Sequence, residues 1–157
     1  MKGNAKVIAA LNEALKEELL AINQYFLHSE MCENWKYEAL SKSLKKQSID
    51  EMKHAEKLIE RILFLDATPT VTSPSQLKVG KNVKEQLAND LELELGAIQL
   101  YNGAIKLSRD EADNATAEFL TGILGDEERH ADFLESQLHL IGEIGYERYL
   151  AKQVEEE

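Results

Sequence analysis

Apolar residues recur along most of this chain with the period of an α-helix, and they line one face of each of four long segments. Turn-forming residues are rare outside a single stretch, which contains both prolines, Pro69 and Pro74. The pattern therefore predicts an all-α protein. We expect four long helices and a short fifth one, at residues 5–34, 37–65, 82–111, 114–143 and 146–153.

The proline-containing segment, residues 66–81, indicates the topology of these helices. Sixteen fully extended residues reach at most about 53–58 Å, whereas a helix of 28 residues is about 42 Å long. The segment can therefore travel the whole length of a helical bundle. We predict a four-helix bundle with one long crossover at 66–81, forming a single domain over residues 1–157, with turns at 33–37 and 108–114.

Composition and charge narrow the classes of partner. The chain has 18 Lys and Arg residues against 29 Asp and Glu residues, and its formal net charge of −11 disfavours nucleic-acid binding. The single cysteine, Cys32, excludes an intrachain disulfide and any site built from several cysteines. Because no run of 18 apolar residues is present and the N-terminal stretch turns acidic, we expect a cytoplasmic protein without a membrane span.

The two halves of the chain resemble each other at an offset of 76 residues. In each half, a glutamate on an apolar stripe lies 33 residues before a Glu-x-x-His motif. Residues three apart share a helix face, so each motif presents a carboxylate and an imidazole together. The first half contributes Glu18, Glu51 and His54, and the second contributes Glu94, Glu127 and His130, with Asp50 and Asp126 directly before the two motifs.

The 33-residue spacing spans one helical hairpin, whose midpoint falls at a predicted turn. Residues equidistant from a turn lie at the same depth, so two packed hairpins would bring all six side chains into one layer. Burying even one unpaired charge costs several kcal/mol, and no Lys or Arg lies on the inward stripes nearby. Two divalent cations would neutralise the four carboxylates, and mixed carboxylate and imidazole donors suit iron, manganese or zinc.

The chain also resembles the bacterioferritins over essentially its whole length. The resembling segments are MKGNAKVI at the start, ELLAINQYFLHSEM (18–31), SIDEMKHAEKLIERILFL (48–65), DLELELGAI (90–98) and GDEERHADFLESQLHLI (125–141). The Glu and Glu-x-x-His pair is shared with other di-iron bundles, whereas the run around Met52 is more specific. The resemblance implies a ferritin-like fold and an iron-storage protein that forms a cage of 24 subunits built from dimers.

The resemblance further implies a ferroxidase centre with two iron ions in each subunit. The ions would be bridged by Glu51 and Glu127. The implied terminal ligands are Glu18, His54, Glu94 and His130. Members of the family oxidise Fe(II) with O₂ or H₂O₂ and deposit a ferric mineral inside the cage. A ferredoxin-type reductant is the implied partner for iron release.

Met52 follows Glu51, so its side chain points about 100° away around the helix, out of the bundle interior. The residue pattern alone favours a surface or interfacial methionine, because the neighbours Asp50 and Lys53 are polar. The resemblance implies instead that Met52 is an axial ligand of a b-type haem shared between two subunits. A thioether is a suitable axial ligand for haem iron.

The sequence also contains a tyrosine and two histidines outside the six-residue set whose roles are considered next. Tyr25 lies on the same stripe as Glu18 and is either a hydrogen-bond donor or oxidisable residue close to the irons, or a core tyrosine. We expect His28 and His139 at the surface or at an interface, because neither has a glutamate three residues earlier. His139 is a candidate for an iron-access route.

The sequence departs from some family members at Lys46 and Gln47, where they have His and Glu. A charged lysine cannot bind iron, so the accessory iron site of the inner surface is not expected. A second class of function is a small dimeric di-iron peroxidase or oxidase of the rubrerythrin type, which would use the same six ligands without storing iron. The chain lacks the Cys-x-x-Cys module of such proteins. A metal-free interaction bundle would leave four buried carboxylates unexplained.

Overall fold

In the computed structural model, residues 1–72 and 76–155 are described, and within them the chain forms α-helices and no β-strand. The five helices are α1 (Ala5–Asn34), α2 (Glu38–Phe64), α3 (Val83–Asp110), α4 (Asn114–Ile144) and α5 (Tyr146–Ala151). The ends of the four long helices lie within one residue of the predicted ends. The prediction of an all-α fold with four long helices and a short fifth one is confirmed.

Polar side chains cap the N-termini of three of the four long helices. The side chains of Asn4, Asn82 and Asp113 accept hydrogen bonds from backbone N–H groups in the first turns of α1, α3 and α4, which satisfies donors that have no partner within the helix. The two hairpin turns, one after α1 and one after α3, share the same backbone conformation. Lys36 and Ala112 adopt positive φ angles of 70° and 59° directly after α1 and α3, and they are related by the same 76-residue offset as the two motifs.

The helices pack as two antiparallel hairpins, α1 with α2 and α3 with α4, and α1 also lies against α3. At one end of the bundle, Gly3 N donates to Leu65 O, so the start of α1 lies beside the end of α2. At the other end, Gly80 N donates to His28 Nε2, so the start of α3 lies near the end of α1. The chain therefore crosses the full length of the bundle between α2 and α3.

The described parts of this crossover follow α1. Thr70 N donates to Asn12 Oδ1 at 2.8 Å, and further along Lys78 N donates to Gln24 Oε1 at 3.2 Å. The predicted crossover at residues 66–81 includes residues 73–75, which lie outside the described residues. These contacts supply hydrogen-bond partners for backbone groups that have none in a helix.

The core consists of two apolar clusters with a polar layer between them. The first cluster surrounds Leu11 and Leu58, and the second surrounds Leu44 and Leu134. The helical period of the sequence places Ile98 on the inward face of α3, but in the structure its side chain is only half-buried. The residues of α3 that are buried in its place include Gln86, Asp90, Ala97 and Ala104.

The short helix α5 closes one end of the bundle. Its Tyr149 is buried, and the hydroxyl donates to Gln137 Oε1 at 2.7 Å. The backbone after α5 is tied to the start of α2, since Ala39 N donates to Gln153 O. Among the described residues, no helix combines the length and the apolar character that crossing a membrane requires.

Candidate metal centre

The structure brings all six residues of the repeated motif into one layer between the two apolar clusters. α1 and α3 each contribute one glutamate, whereas α2 and α4 each contribute a glutamate and a histidine one turn apart. None of the six side chains has more than a small exposed fraction, and Glu127 is fully buried. The six are Glu18, Glu51, His54, Glu94, Glu127 and His130.

Their donor atoms form two overlapping groups, each compact enough to surround one ion. Within each group, one donor atom from every residue lies within 4.8 Å of the others. Glu51 and Glu127 belong to both groups. The first group is completed by Glu18 and His54, and the second is completed by Glu94 and His130.

Both imidazoles are oriented in the same way. His54 Nδ1 lies 2.9 Å from Glu127 Oε1, and His130 Nδ1 lies 3.0 Å from Glu51 Oε1. The other ring nitrogens point away from the layer toward aspartates: His54 Nε2 is 2.8 Å from Asp126 Oδ2, and His130 Nε2 is 3.1 Å from Asp50 Oδ2. An aspartate that accepts a hydrogen bond from Nε2–H fixes the ring so that Nδ1 directs its lone pair to the place where an ion would bind.

The inward atoms fit a metal ion better than they fit one another. Although they lie close together, these buried atoms have no hydrogen-bond partner of acceptable geometry: Glu18 Oε2, Glu51 Oε1, His54 Nδ1, Glu94 Oε2, both oxygens of Glu127 and His130 Nδ1. Buried polar atoms are normally paired, so such a group requires an explanation. One divalent cation in each group would accept lone pairs from several of these atoms at once, which no protein donor does.

Two tyrosines tie the layer together across the halves of the chain. The Tyr25 hydroxyl in α1 donates to Glu94 Oε1 in α3 at 2.6 Å. Symmetrically, the Tyr101 hydroxyl in α3 donates to Glu18 Oε1 in α1. Of the two interpretations left open for Tyr25, the hydrogen-bond donor is therefore the one that the structure supports. In both glutamates the tyrosine hydroxyl donates to Oε1, and Oε2 is the oxygen without a hydrogen-bond partner.

Burial raises the pKa of all four glutamates above the ordinary value of 4.5. The pKa of Glu51 is about 7, with repulsion from Glu18 as the second cause. The pKa of Glu94 is about 8, with the close approach of the Glu127 carboxylate as the second cause. Burial opposes protonation of the two histidines, but the surrounding carboxylates outweigh it and raise the pKa of both imidazoles. Protons and divalent cations therefore compete for the same atoms.

An open cavity of about 360 Å³ lies between α2 and α4 beside the layer. Its lining includes His130, Asp50, Lys46 and Gln47. Gln47 is buried, and its Oε1 has no hydrogen-bond partner among the described residues. Lys46 and Gln47 therefore lie beside Asp50 and Asp126, the two aspartates bonded to the histidine rings, which are called the outer aspartates below. Lys46 brings a positive charge to the α2/α4 side of the layer.

Two other predictions concerned exposed residues. Met52 is 54% exposed on the outward side of α2, as is Ile49 one turn earlier at 44%. His139 is exposed on α4, where we expected it. Cys32 is a free, buried thiol, and burial raises its pKa to about 12.

The expectation for His28 was wrong. The side chain is fully buried, with Nδ1 at 2.9 Å from Asp90 Oδ1 and Nε2 accepting from Gly80 N at 3.0 Å. Gln24 Nε2 donates to the same Asp90 oxygen. His28 thus anchors the end of the crossover to α1 and α3. Its partners lie 52 and 62 residues away in the chain, so no local pattern showed that it is buried.

The contact of the two outer aspartates with the histidine rings was not predicted from the sequence. Asp50 and Asp126 precede the two Glu-x-x-His motifs and repeat at the same offset. That repetition was the available signal. The interaction itself joins α2 to α4, with Asp126 bonded to His54 of the first half and Asp50 to His130 of the second half.

The fold and the site together define a class of protein. A family model described as a ferritin-like domain matches residues 8–144. The relatives include bacterioferritins of Mycolicibacterium paratuberculosis (42% identical over 98% of this chain and 97% of the relative), Brucella melitensis (44% over 95% and 92%) and Streptomyces coelicolor (42% over 99% and 93%). The chain is a ferritin-like four-helix bundle. Within that class it belongs to the bacterioferritin family.

Proposed function

We propose that this protein stores iron and that the buried layer oxidises Fe(II) before its deposition as ferric mineral. The observation that supports this most directly is the pair of four-residue groups sharing Glu51 and Glu127, with unpaired oxygen and nitrogen atoms directed into both. Two ions held in this way would lie next to each other, bridged by the shared carboxylates. The remaining four residues would each bind one ion.

The charge of the layer suits this reaction. Four carboxylates offset the four positive charges of two Fe(II) ions, and hard anionic oxygens favour Fe(III) over Fe(II). Two Fe(II) supply the two electrons that reduce O₂ with two protons to H₂O₂, or H₂O₂ with two protons to two waters. The protein positions the donors before the ions arrive, so little reorganisation accompanies electron loss.

The surrounding residues hold the ligands in place. Asp126 and Asp50 fix the rings of His54 and His130 with Nδ1 inward. Tyr25 fixes the Glu94 carboxylate by donating a hydrogen bond to Oε1, whereas Oε2, which has no partner, is left for an ion. Such outer hydrogen bonds keep the ligands oriented and adjust their basicity.

We further propose that Met52 binds a haem of the b type between two subunits. The exposed thioether and the neighbouring exposed Ile49 fit an apolar planar group at the outer face of α2. Bound there, haem would supply one-electron transfer between the stored mineral and an external donor. The role of this chain's residues would be to ligate the iron through sulfur and to exclude water from the ring.

The proposed assembly is a cage of 24 subunits built from dimers, located in the cytoplasm, with a ferredoxin-type reductant for iron release. The curated relatives that match nearly the full length are bacterioferritins. For this reason the dimeric rubrerythrin-type peroxidase is not favoured. Neither O₂ nor H₂O₂ is singled out as oxidant by the residues of the layer.

The decisive experiment combines light scattering of the purified protein with aerobic Fe(II) loading. We expect a 24-subunit particle that takes up far more than two iron ions per chain. A stable dimer that stops at about two per chain would overturn storage, because two is the number of groups in the layer. Glu127→Ala removes a shared carboxylate and should abolish rapid Fe(II) oxidation, whereas the exposed Glu135→Ala on the same helix should not.

A further inference from the structure

A narrow crevice leads from the surface to the layer between α1 and α3. It is lined by all four glutamates of the layer, and also by Ala97 and by two residues at its outer end, Glu17 and Leu93. Glu17 and Leu93 are only half-buried, whereas the four glutamates are buried. The crevice has no room for a sphere the size of a water molecule. A cation that uses it must exchange water ligands for protein oxygens.

Outside the crevice lies a wider groove of about 180 Å³. Its lining again includes Glu17 and Leu93, so these two residues form the boundary between groove and crevice. The other carboxylate of the groove, Glu92, is paired with Lys78 at 2.6 Å. Glu17 forms no ion pair with any described residue, so its charge is available to a cation in the groove.

The inner end of the crevice presents atoms that attract a cation. Glu18 Oε2 and Glu94 Oε2 belong to side chains that are 1% exposed, and neither oxygen has a hydrogen-bond partner. Both residues line the crevice together with Glu17. Carboxylates therefore line the path from the groove to the two predicted ion positions, and they become more buried with depth.

The opposite side of the layer is less favourable to cations. The cavity between α2 and α4 is lined by Lys46 and Arg129 as well as by Asp50 and Asp126. Each aspartate there already accepts a hydrogen bond from a histidine ring, and Asp126 is also paired with Arg129. The two positive charges offset the two negative ones, so this opening lacks the uncompensated carboxylate found at the α1/α3 side.

We propose that Glu17 is the access carboxylate for Fe(II), binding the incoming cation at the outer end of the crevice and transferring it to Glu18 and Glu94. This inference rests on the proposed function, since it assumes that the layer receives Fe(II). Glu17 binds the substrate transiently and is not one of the six ligands. Its removal therefore slows delivery of the ion and leaves the two ion positions intact.

The test compares Glu17→Gln with Glu13→Gln, which removes the same charge from an exposed position one turn earlier in α1. Stopped-flow oxidation of Fe(II) is measured over a range of Fe(II) concentrations. For Glu17→Gln we expect the rate at low Fe(II) to fall about tenfold, in line with the effect of local charge on cation delivery, with an unchanged rate at saturation. Glu13→Gln should resemble the wild type, and Glu17→Asp should restore most of the lost rate.

Binding of Co(II), followed by its visible absorption, provides a readout independent of oxidation. Glu17→Gln should still bind two Co(II) per chain, one for each group of the layer, but more slowly. Kinetics of Glu17→Gln equal to those of Glu13→Gln would overturn the inference. Binding of fewer than two Co(II) per chain by Glu17→Gln would also overturn it, because Glu17 would then support the layer itself. A wild-type protein that does not oxidise Fe(II) would refute the proposed function itself. Rapid oxidation by the wild type with no effect of Glu17→Gln would refute only the access role of Glu17.

Discussion

The Tyr25 hydroxyl donates to Glu94 Oε1 at 2.6 Å, joining the first half of the chain to the second. Tyr101 makes the reciprocal bond to Glu18. Each half thus orients a carboxylate of the other half, as the outer aspartates do for the histidines. The layer is consequently complete only when both hairpins are packed together, which couples the geometry of the two ion positions.

Replacing Tyr25 with phenylalanine should weaken metal binding at the position of Glu94. The carboxylate loses the bond that fixes its orientation, and loss of such an outer hydrogen bond typically lowers metal affinity by about tenfold or more. Titration with Co(II) measures the change. Tyr149→Phe is the matched control, because that hydroxyl is bonded to Gln137 away from the layer. Equal affinities in both variants would contradict the orienting role.

Asp126→Asn should weaken metal binding at the ion position to which His54 belongs. Asparagine can present a donor to Nε2, which stabilises the wrong ring tautomer and protonates the inward Nδ1. We expect Co(II) affinity at this position to fall between about tenfold and a hundredfold. Asp132→Asn, an exposed change six residues further along α4, should have no effect. An unchanged first binding step would show that Asp126 does not hold the ring.

The stability of the metal-free protein should fall as the pH rises from about 5 to 8. The pKa of Glu51 rises from 4.5 to about 7 on folding and that of Glu94 to about 8, mainly through burial. Between these values the folded state binds more protons than the unfolded state, so the free energy of unfolding decreases with pH. Urea denaturation in the presence of a chelator at pH 5.5 and pH 8 measures the slope.

Two further measurements check this explanation. The double variant Glu51→Gln, Glu94→Gln should flatten the slope, because neither amide titrates. Added Co(II) should stabilise the wild type more at pH 8 than at pH 5.5, since fewer protons then compete for the ligands. A metal-free protein that becomes more stable from pH 5.5 to pH 8 would contradict the predicted sign.

His28→Ala should destabilise the fold without altering the layer. It removes the partner of Asp90 Oδ1 and of Gly80 N, both buried, and leaves a cavity. A loss of about 3 kcal/mol in the free energy of unfolding is expected from the unpaired polar groups and the cavity. The exposed His139→Ala is the control. A loss below about 0.5 kcal/mol, the range of ordinary surface substitutions, would show that the crossover is anchored elsewhere.

The sequence by itself determined the helices and the six motif side chains that face inward. Helical periodicity predicted the long helices to within a residue, and the length of segment 66–81 predicted the crossover topology. The 76-residue repeat selected the six side chains that the structure gathers into one layer. These features were accessible because they depend on local spacing: periodicity defines a helix face, and equal distances from a turn define equal depth.

Only the tertiary structure decided which partner each inward atom meets. The Tyr25–Glu94 bond, the Asp126–His54 bond and the bonds of the buried His28 join residues 52 to 72 positions apart. Periodicity does not encode which neighbouring helix supplies the partner. It therefore predicted the members of the layer, whereas helix packing selected Nδ1 as the inward nitrogen, made Glu51 and Glu127 the shared carboxylates, and left Glu17 at the opening between α1 and α3.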